Sequence, residues 1–98
     1  MTDEQRAAAL KRAGEARRIR AEIKHLLKSG SLTFQDVLDK AEENDLVAGT
    51  RIKAIVISMP HMGKVSTKRL MAEIGIAENR TIRGLGSNQR KALLEHFS

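Results

Sequence analysis

The sequence predicts an all-α fold in which a long N-terminal helix packs on a small helical domain. Three observations predict it. Apolar residues recur at helical spacing in successive short segments. Stop and cap signals fall between those segments: Ser29-Gly30-Ser31, Pro60, Gly75 and Ser87. No stretch alternates apolar and polar residues over a convincing length, so strand signals are weak.

Each element has its own justification. Residues 3–28 are rich in Ala, Arg, Lys and Glu and lack proline, which favours one long helix capped by Thr2. Gly14 weakens its middle, and Ser29-Gly30-Ser31 ends it. On a helical wheel Arg6, Arg17, Arg20, Lys24 and Lys28 form one stripe about 80° wide, with Ile19, Ile23, Leu26 and Leu27 roughly opposite. Only the second half is therefore expected to pack on a core. Residues 1–14, with Leu10 as their one large apolar side chain besides Met1, are expected to project as an arm, leaving residues 31–98 as the compact part. A second helix is expected over 34–43, where Phe34, Val37, Leu38 and Ala41 share a face and Thr33 with Asp36 resembles a capping box. Residues 44–49 read as a connection. Thr50 then caps a third helix carrying Ile52, Ile55, Val56 and Met59, which Pro60 stops. A fourth helix spans 65–74, with Leu70, Met71 and Ile74 inward and Gly75 as its stop. Ser87 caps a fifth, whose apolar face is Leu93, Leu94 and Phe97.

Composition narrows the function. The chain has 98 residues and 41% hydrophobic content, enough for one modest core. It has no cysteine, which excludes a disulfide framework, a thiolate metal site and a cysteine nucleophile. A small domain without such staples is expected in the cytoplasm. No apolar run is long enough to span a membrane, and no signal-peptide stretch opens the chain. Aromatic residues are two phenylalanines, so base stacking on an aromatic sheet is not expected. The three histidines lack metal-ligand spacing, the carboxylates of 36–45 match no calcium loop, and Ser58, Ser66 and Ser87 have no evident His/Asp partners. No catalytic role, metal or cofactor is expected.

Charge points to a polyanionic partner. Lys and Arg number 18 against 12 Asp and Glu, for a net charge of +6. The segments 1–30 and 51–98 carry +4 and +6, and they flank a segment, 31–50, carrying −4. Basic surfaces bind nucleic acid by displacing counterions from phosphates.

Two turns supply the local chemistry. The run Met59-Pro60-His61-Met62-Gly63-Lys64-Val65-Ser66-Thr67-Lys68 joins an apolar helix end to a new helix through a tight glycine turn. It resembles the hairpin of helix-hairpin-helix and helix-two-turns-helix modules, with His61 where that pattern has its first glycine and Thr67 where it has alanine. Gly63 would let the backbone turn sharply and approach a phosphate. The N–H groups of Lys64, Val65 and Ser66 would form an anion site at the helix start, with Lys64 and Lys68 adding charge. The second turn is Ile82-Arg83-Gly84-Leu85-Gly86-Ser87-Asn88-Gln89-Arg90. Free N–H groups from Gly86 to Gln89 could hold an oxyanion, with Arg83 adding a bidentate guanidinium. As a nucleotide fingerprint it fails: there is no third glycine in register, no Gly-Lys-Ser/Thr ending and no preceding strand. Asn88, Gln89 and Arg90 come nearest to a base-reading face, so sequence preference is expected to be weak.

Taken together, residues 2–10, the Gly63-Lys64-Val65 hairpin and the Arg83-Gly84-Leu85-Gly86 loop, in this order and spacing, resemble the actinobacterial integration host factor family over essentially the whole chain. The resemblance implies a nucleoid-associated, usually monomeric protein with a helix-two-turns-helix-like part. It implies binding of duplex DNA through the backbone, bending and compaction, and support of phage integration beside an integrase. Carried over residue by residue, Gly63, Lys64, Val65, Lys68, Arg83, Gly84 and Gly86 would touch DNA. Ser66, Leu85, Ser87, Asn88, Gln89 and Arg90 complete the two turns, and Arg6, Arg17 and Arg20 add the stripe of the first helix. An RNA-binding or ribosome-associated helical protein is the alternative, because helix-two-turns-helix modules also occur in a ribosomal small-subunit protein. A domain whose acidic second helix docks a basic protein is a third.

Overall fold

Local caps delimit the helices. In a computed structural model that describes residues 2–97, α1 runs from Asp3 to Lys28 without a break. The Thr2 hydroxyl accepts the Gln5 N–H at 3.1 Å, and the Gln5 side chain accepts the Thr2 N–H at 3.0 Å. The helix ends as expected, with Gly30 left-handed and the Ser31 N–H on the Leu26 carbonyl. α2, Phe34–Glu43, opens on the expected reciprocal cap. Asp36 Oδ2 accepts the Thr33 N–H at 3.0 Å, and Thr33 Oγ1 accepts the Asp36 N–H at 3.1 Å.

The segment expected as a plain connection contains a further one-turn helix, α3, Asp45–Ala48, capped by the Asn44 side chain. It forms because Val47 and Ala48 are buried, an effect of tertiary packing that local propensity does not register.

α4 spans Ile52–Ile57, with Arg51 rather than Thr50 at its cap position. Thr50 is buried and its hydroxyl donates back to the Leu46 carbonyl at 3.2 Å. Its own carbonyl accepts the Ile82 N–H at 3.0 Å, inside an isolated antiparallel bridge between Arg51 and Thr81. The helix therefore starts later than expected because its leading residues are held extended by a distant loop.

α5 is Lys64–Ile74, stopped by Gly75 at φ 84°. α6 is Ser87–His96, and its cap residue is Gly86, with Ser87 as the first helical residue in correction of the expected Ser87 cap. The core joins all these elements: Ile23 and Leu27 of α1, Phe34, Val37 and Leu38 of α2, Val47 of α3, Ile52, Ile55 and Val56 of α4, Leu70 and Met71 of α5, and Leu93 of α6. Phe97 stacks on Phe34 at 5.6 Å, which ties the chain end to α2.

Every residue from Thr2 to Ala13 is exposed. The first half of α1 extends past the core and accounts for the longest dimension, 45 Å against 26 and 25 Å. Among the described residues no helix is long and apolar enough to cross a membrane.

Candidate nucleic-acid interface

Two helix starts face solvent with unused donors. At α5, the Thr67 N–H is the first to return to the cap, on the Gly63 carbonyl at 2.9 Å. The N–H groups of Lys64, Val65 and Ser66 have no acceptor among the described residues. Such a cluster of aligned donors, together with the helix dipole, favours an anion. Val65 stands out at 72% exposure beside them. Lys64 and Lys68 are exposed one turn apart on the same helix.

The sharp reversal before α5 is made by His61, not by Gly63. His61 lies at φ 68°, and Gly63 is extended at φ −127° and ψ −175°. A side chain on Gly63 would meet nothing within 4 Å, so the glycine leaves open space in front of the helix start. The Ser66 hydroxyl accepts the Gly63 N–H at 2.9 Å and is part of the turn itself.

The second turn is bound to the rest of the fold at several points. The Ile82 and Arg83 N–H groups bond the Thr50 and Ala48 carbonyls, and the Ile52 N–H bonds the Arg80 carbonyl. Arg80, which sequence reasoning did not single out, donates from Nη1 to the Gly84 carbonyl at 3.0 Å. A Cβ on Gly84 would meet Arg80 Cδ at 3.0 Å, so the glycine allows that strap to lie close.

Leu85, Gln89 and Gly86 are engaged within the fold. Leu85 is in the core at 9% exposure and reaches solvent only at the edge of the groove beside Ser87 and Arg90. Gln89 turns back onto the fold: its Oε1 accepts the Gly86 N–H and its Nε2 donates to the Gly75 carbonyl, both at 3.0 Å. The Gly86 N–H is thereby occupied, and the Gly84 and Leu85 N–H groups bond Thr81 and Ile82. The donors left without an acceptor among the described residues are those of Ser87, Asn88 and Gln89. The free donors therefore begin one residue later than expected and are fewer. By joining Gly75 to α6, Gln89 also fixes the end of α5 against the start of α6.

Arg83 does not fold over this helix start. Its Nη2 donates to the carbonyl and carboxylate of Asp45, at 3.4 and 3.5 Å. The two side chains are 63% and 89% exposed, so the pair is weak and readily exchanged for a stronger anion. Arg90 is half-buried and shares a shallow groove with Ser87 and Lys91.

A third basic region is formed where α1 crosses α4. Arg17, Arg20 and Lys24 line one cleft with Arg51, whose part had no local sequence signal. The Arg20 Nε bonds the Ala16 carbonyl at 3.3 Å, which holds the guanidinium along the helix. Arg6 lies on the exposed outer half of α1, away from this cleft.

Residues 27–97 match the S13-like H2TH domain family. Over 97 residues the chain is 47% identical to integration host factor of Mycolicibacterium smegmatis, and 47% to that of Mycobacterium tuberculosis. Each alignment covers 99% of this chain and 92% of the relative. Integration host factor of Streptomyces coelicolor is 44% identical over 97 residues, covering 99% of this chain and 91% of that protein. The fold is similar to the solved structure of sIHF bound to an 8-bp palindromic DNA. The TM-score is 0.85 at 40% identity, over 90% of this chain and 99% of the other.

Proposed function

The chain belongs to the integration host factor family of actinobacteria, and from that premise we propose that it is an architectural protein that binds duplex DNA through its phosphates. The observation that carries the reading is the pair of exposed helix starts. Each offers three unused N–H donors and has exposed basic residues nearby, which suits phosphates of the backbone.

In this reading one phosphate sits on the N–H groups of Lys64, Val65 and Ser66, with the ammonium groups of Lys64 and Lys68 beside it. A second sits on those of Ser87, Asn88 and Gln89, with Arg90 close by. Arg83 leaves Asp45 for a phosphate oxygen. Gly63, Gly84 and Gly86 keep the two approaches low. The cleft of Arg17, Arg20, Lys24 and Arg51 takes a separate stretch of backbone, and holding two stretches at a fixed angle bends the duplex. Bending and coating of DNA account for compaction in the nucleoid. They also account for a role in phage site-specific integration, where bent DNA presents its sites to an integrase. The chemistry is non-covalent throughout, and off DNA the protein is a monomer.

The test is titration of labelled duplex DNA with Lys64→Ala and Arg83→Ala, each checked for folding. Loss of affinity with an intact fold supports the reading, and wild-type affinity in both variants contradicts it. The match to an S13-like domain gives duplex RNA a place as competitor in the same titration. RNA competing better than DNA at matched salt would favour the ribosome-associated alternative.

A further inference from the structure

Two features have no part in the DNA contacts proposed above. Leu10 is 66% exposed on the projecting half of α1, on the same stripe as Arg6 and Arg17. On the far side of α1 from the basic cleft, a groove runs between α1, α2 and α3. Ile19, Leu26 and Val47 form its apolar walls, with Glu22, Glu43 and Lys40 along it. Its volume is about 250 Å3, below the usual range for a small-molecule pocket and suited to an apolar side chain. Neither Glu22 nor Glu43 makes an ion pair among the described residues. The groove borders the acidic segment 31–50, whose field disfavours phosphate and makes it a poorer DNA surface than the basic cleft.

We propose that this groove takes the N-terminal arm of a second copy of the chain, with Leu10 on the apolar walls and Arg6 beside Glu22 and Glu43. The exposed apolar residue and its basic neighbour match the groove in both hydrophobicity and charge. The chain's own arm does not reach it: α1 is unbroken, and Leu10 precedes Ile19 along the helix by roughly 13 Å. Because the contact joins two different patches, arm and groove, it can repeat from copy to copy, and copies set side by side on one duplex join in a row. A contact this small is weak in free solution. It becomes effective where a duplex holds neighbouring copies at high local concentration. In this respect the proposal rests on the DNA reading.

The chain has no cysteine, so introduced thiols report cleanly. Leu10→Cys and Glu43→Cys variants are mixed under mild oxidation on a duplex holding several copies, with Leu10→Cys plus Glu73→Cys as the control pair. The expected result is a mixed disulfide at least about tenfold faster than in the control pair, and equally slow formation on a duplex that holds one copy. Leu10→Ser should keep its affinity for the one-copy duplex. It should lose roughly fivefold to tenfold in apparent affinity for the long one, as expected from half-burying a leucine. Cross-linking no faster than the control overturns the proposal. Loss of one-copy affinity in Leu10→Ser puts the arm on DNA, overturning the proposal and leaving the DNA reading intact. Wild-type protein that binds neither duplex overturns both.

Discussion

Thr67 is fully buried in α5, and its Oγ1 has no hydrogen-bond partner among the described residues. An orphaned hydroxyl costs about 1–3 kcal/mol relative to an apolar group of the same shape. Thr67→Val should therefore raise stability by about 1 kcal/mol, seen as a melting temperature higher by roughly 4–8 °C. An unchanged or lower melting temperature would show that the hydroxyl is satisfied. Arg83 makes the opposite case, a residue whose proposed contribution lies in binding. Arg83→Ala should weaken DNA binding by roughly 1–3 kcal/mol, and Lys64→Ala by less, because a guanidinium can hold phosphate in bidentate fashion. Glu42→Ala, on the acidic helix, is the control and should not weaken it. At this scale the sequence was informative about residue type and less so about direction. Glycine before a helix with lysine after it suggested an anion site at Gly63, and the donors are there. That Gln89 turns back onto Gly86 and Gly75, and that Arg83 reaches Asp45, depends on partners up to 38 residues away. No local pattern contains that information.

Among elements, α1 and α2 make the sharpest contrast. The outer half of α1 buries nothing, so its helicity rests on local propensity and the Thr2–Gln5 cap. Deletion of residues 1–14 should leave the domain folded with little change in melting temperature, and should moderately weaken binding to long duplexes. A large drop in melting temperature would show that the arm contributes to the fold. α2 instead depends on a carboxylate. The Thr33 N–H, then the Thr33 hydroxyl, hold the Asp36 carboxyl below its ordinary pKa of 3.8. A lowered folded-state pKa means that the stabilisation is complete above the unfolded value and is lost as pH falls through the folded one. Wild-type melting temperature should therefore fall more steeply than that of Asp36→Asn between about pH 5 and pH 3. Parallel profiles would remove Asp36 from the account. The Thr33–Asp36 cap and the Gly75 stop were legible because both are set within a few residues. α3 and the Arg51–Thr81 bridge were not, because a one-turn helix and a single long-range bridge exist only through packing.

For the whole molecule, the uneven charge along the sequence becomes a division of surfaces. The cleft with Arg17, Arg20, Lys24 and Arg51 lies on one side of α1, and the groove with Glu22 and Glu43 lies on the other. In the proposed reading this arrangement would orient the protein on DNA through phosphates alone. The most direct measurement of that claim is duplex affinity as a function of salt, for one chosen sequence and for a scrambled one of equal length. The logarithm of affinity should fall linearly with the logarithm of salt, with a slope of about −0.9 for each phosphate neutralised, and the two sequences should give nearly the same line. A flat salt response with a strong preference for one sequence would contradict it.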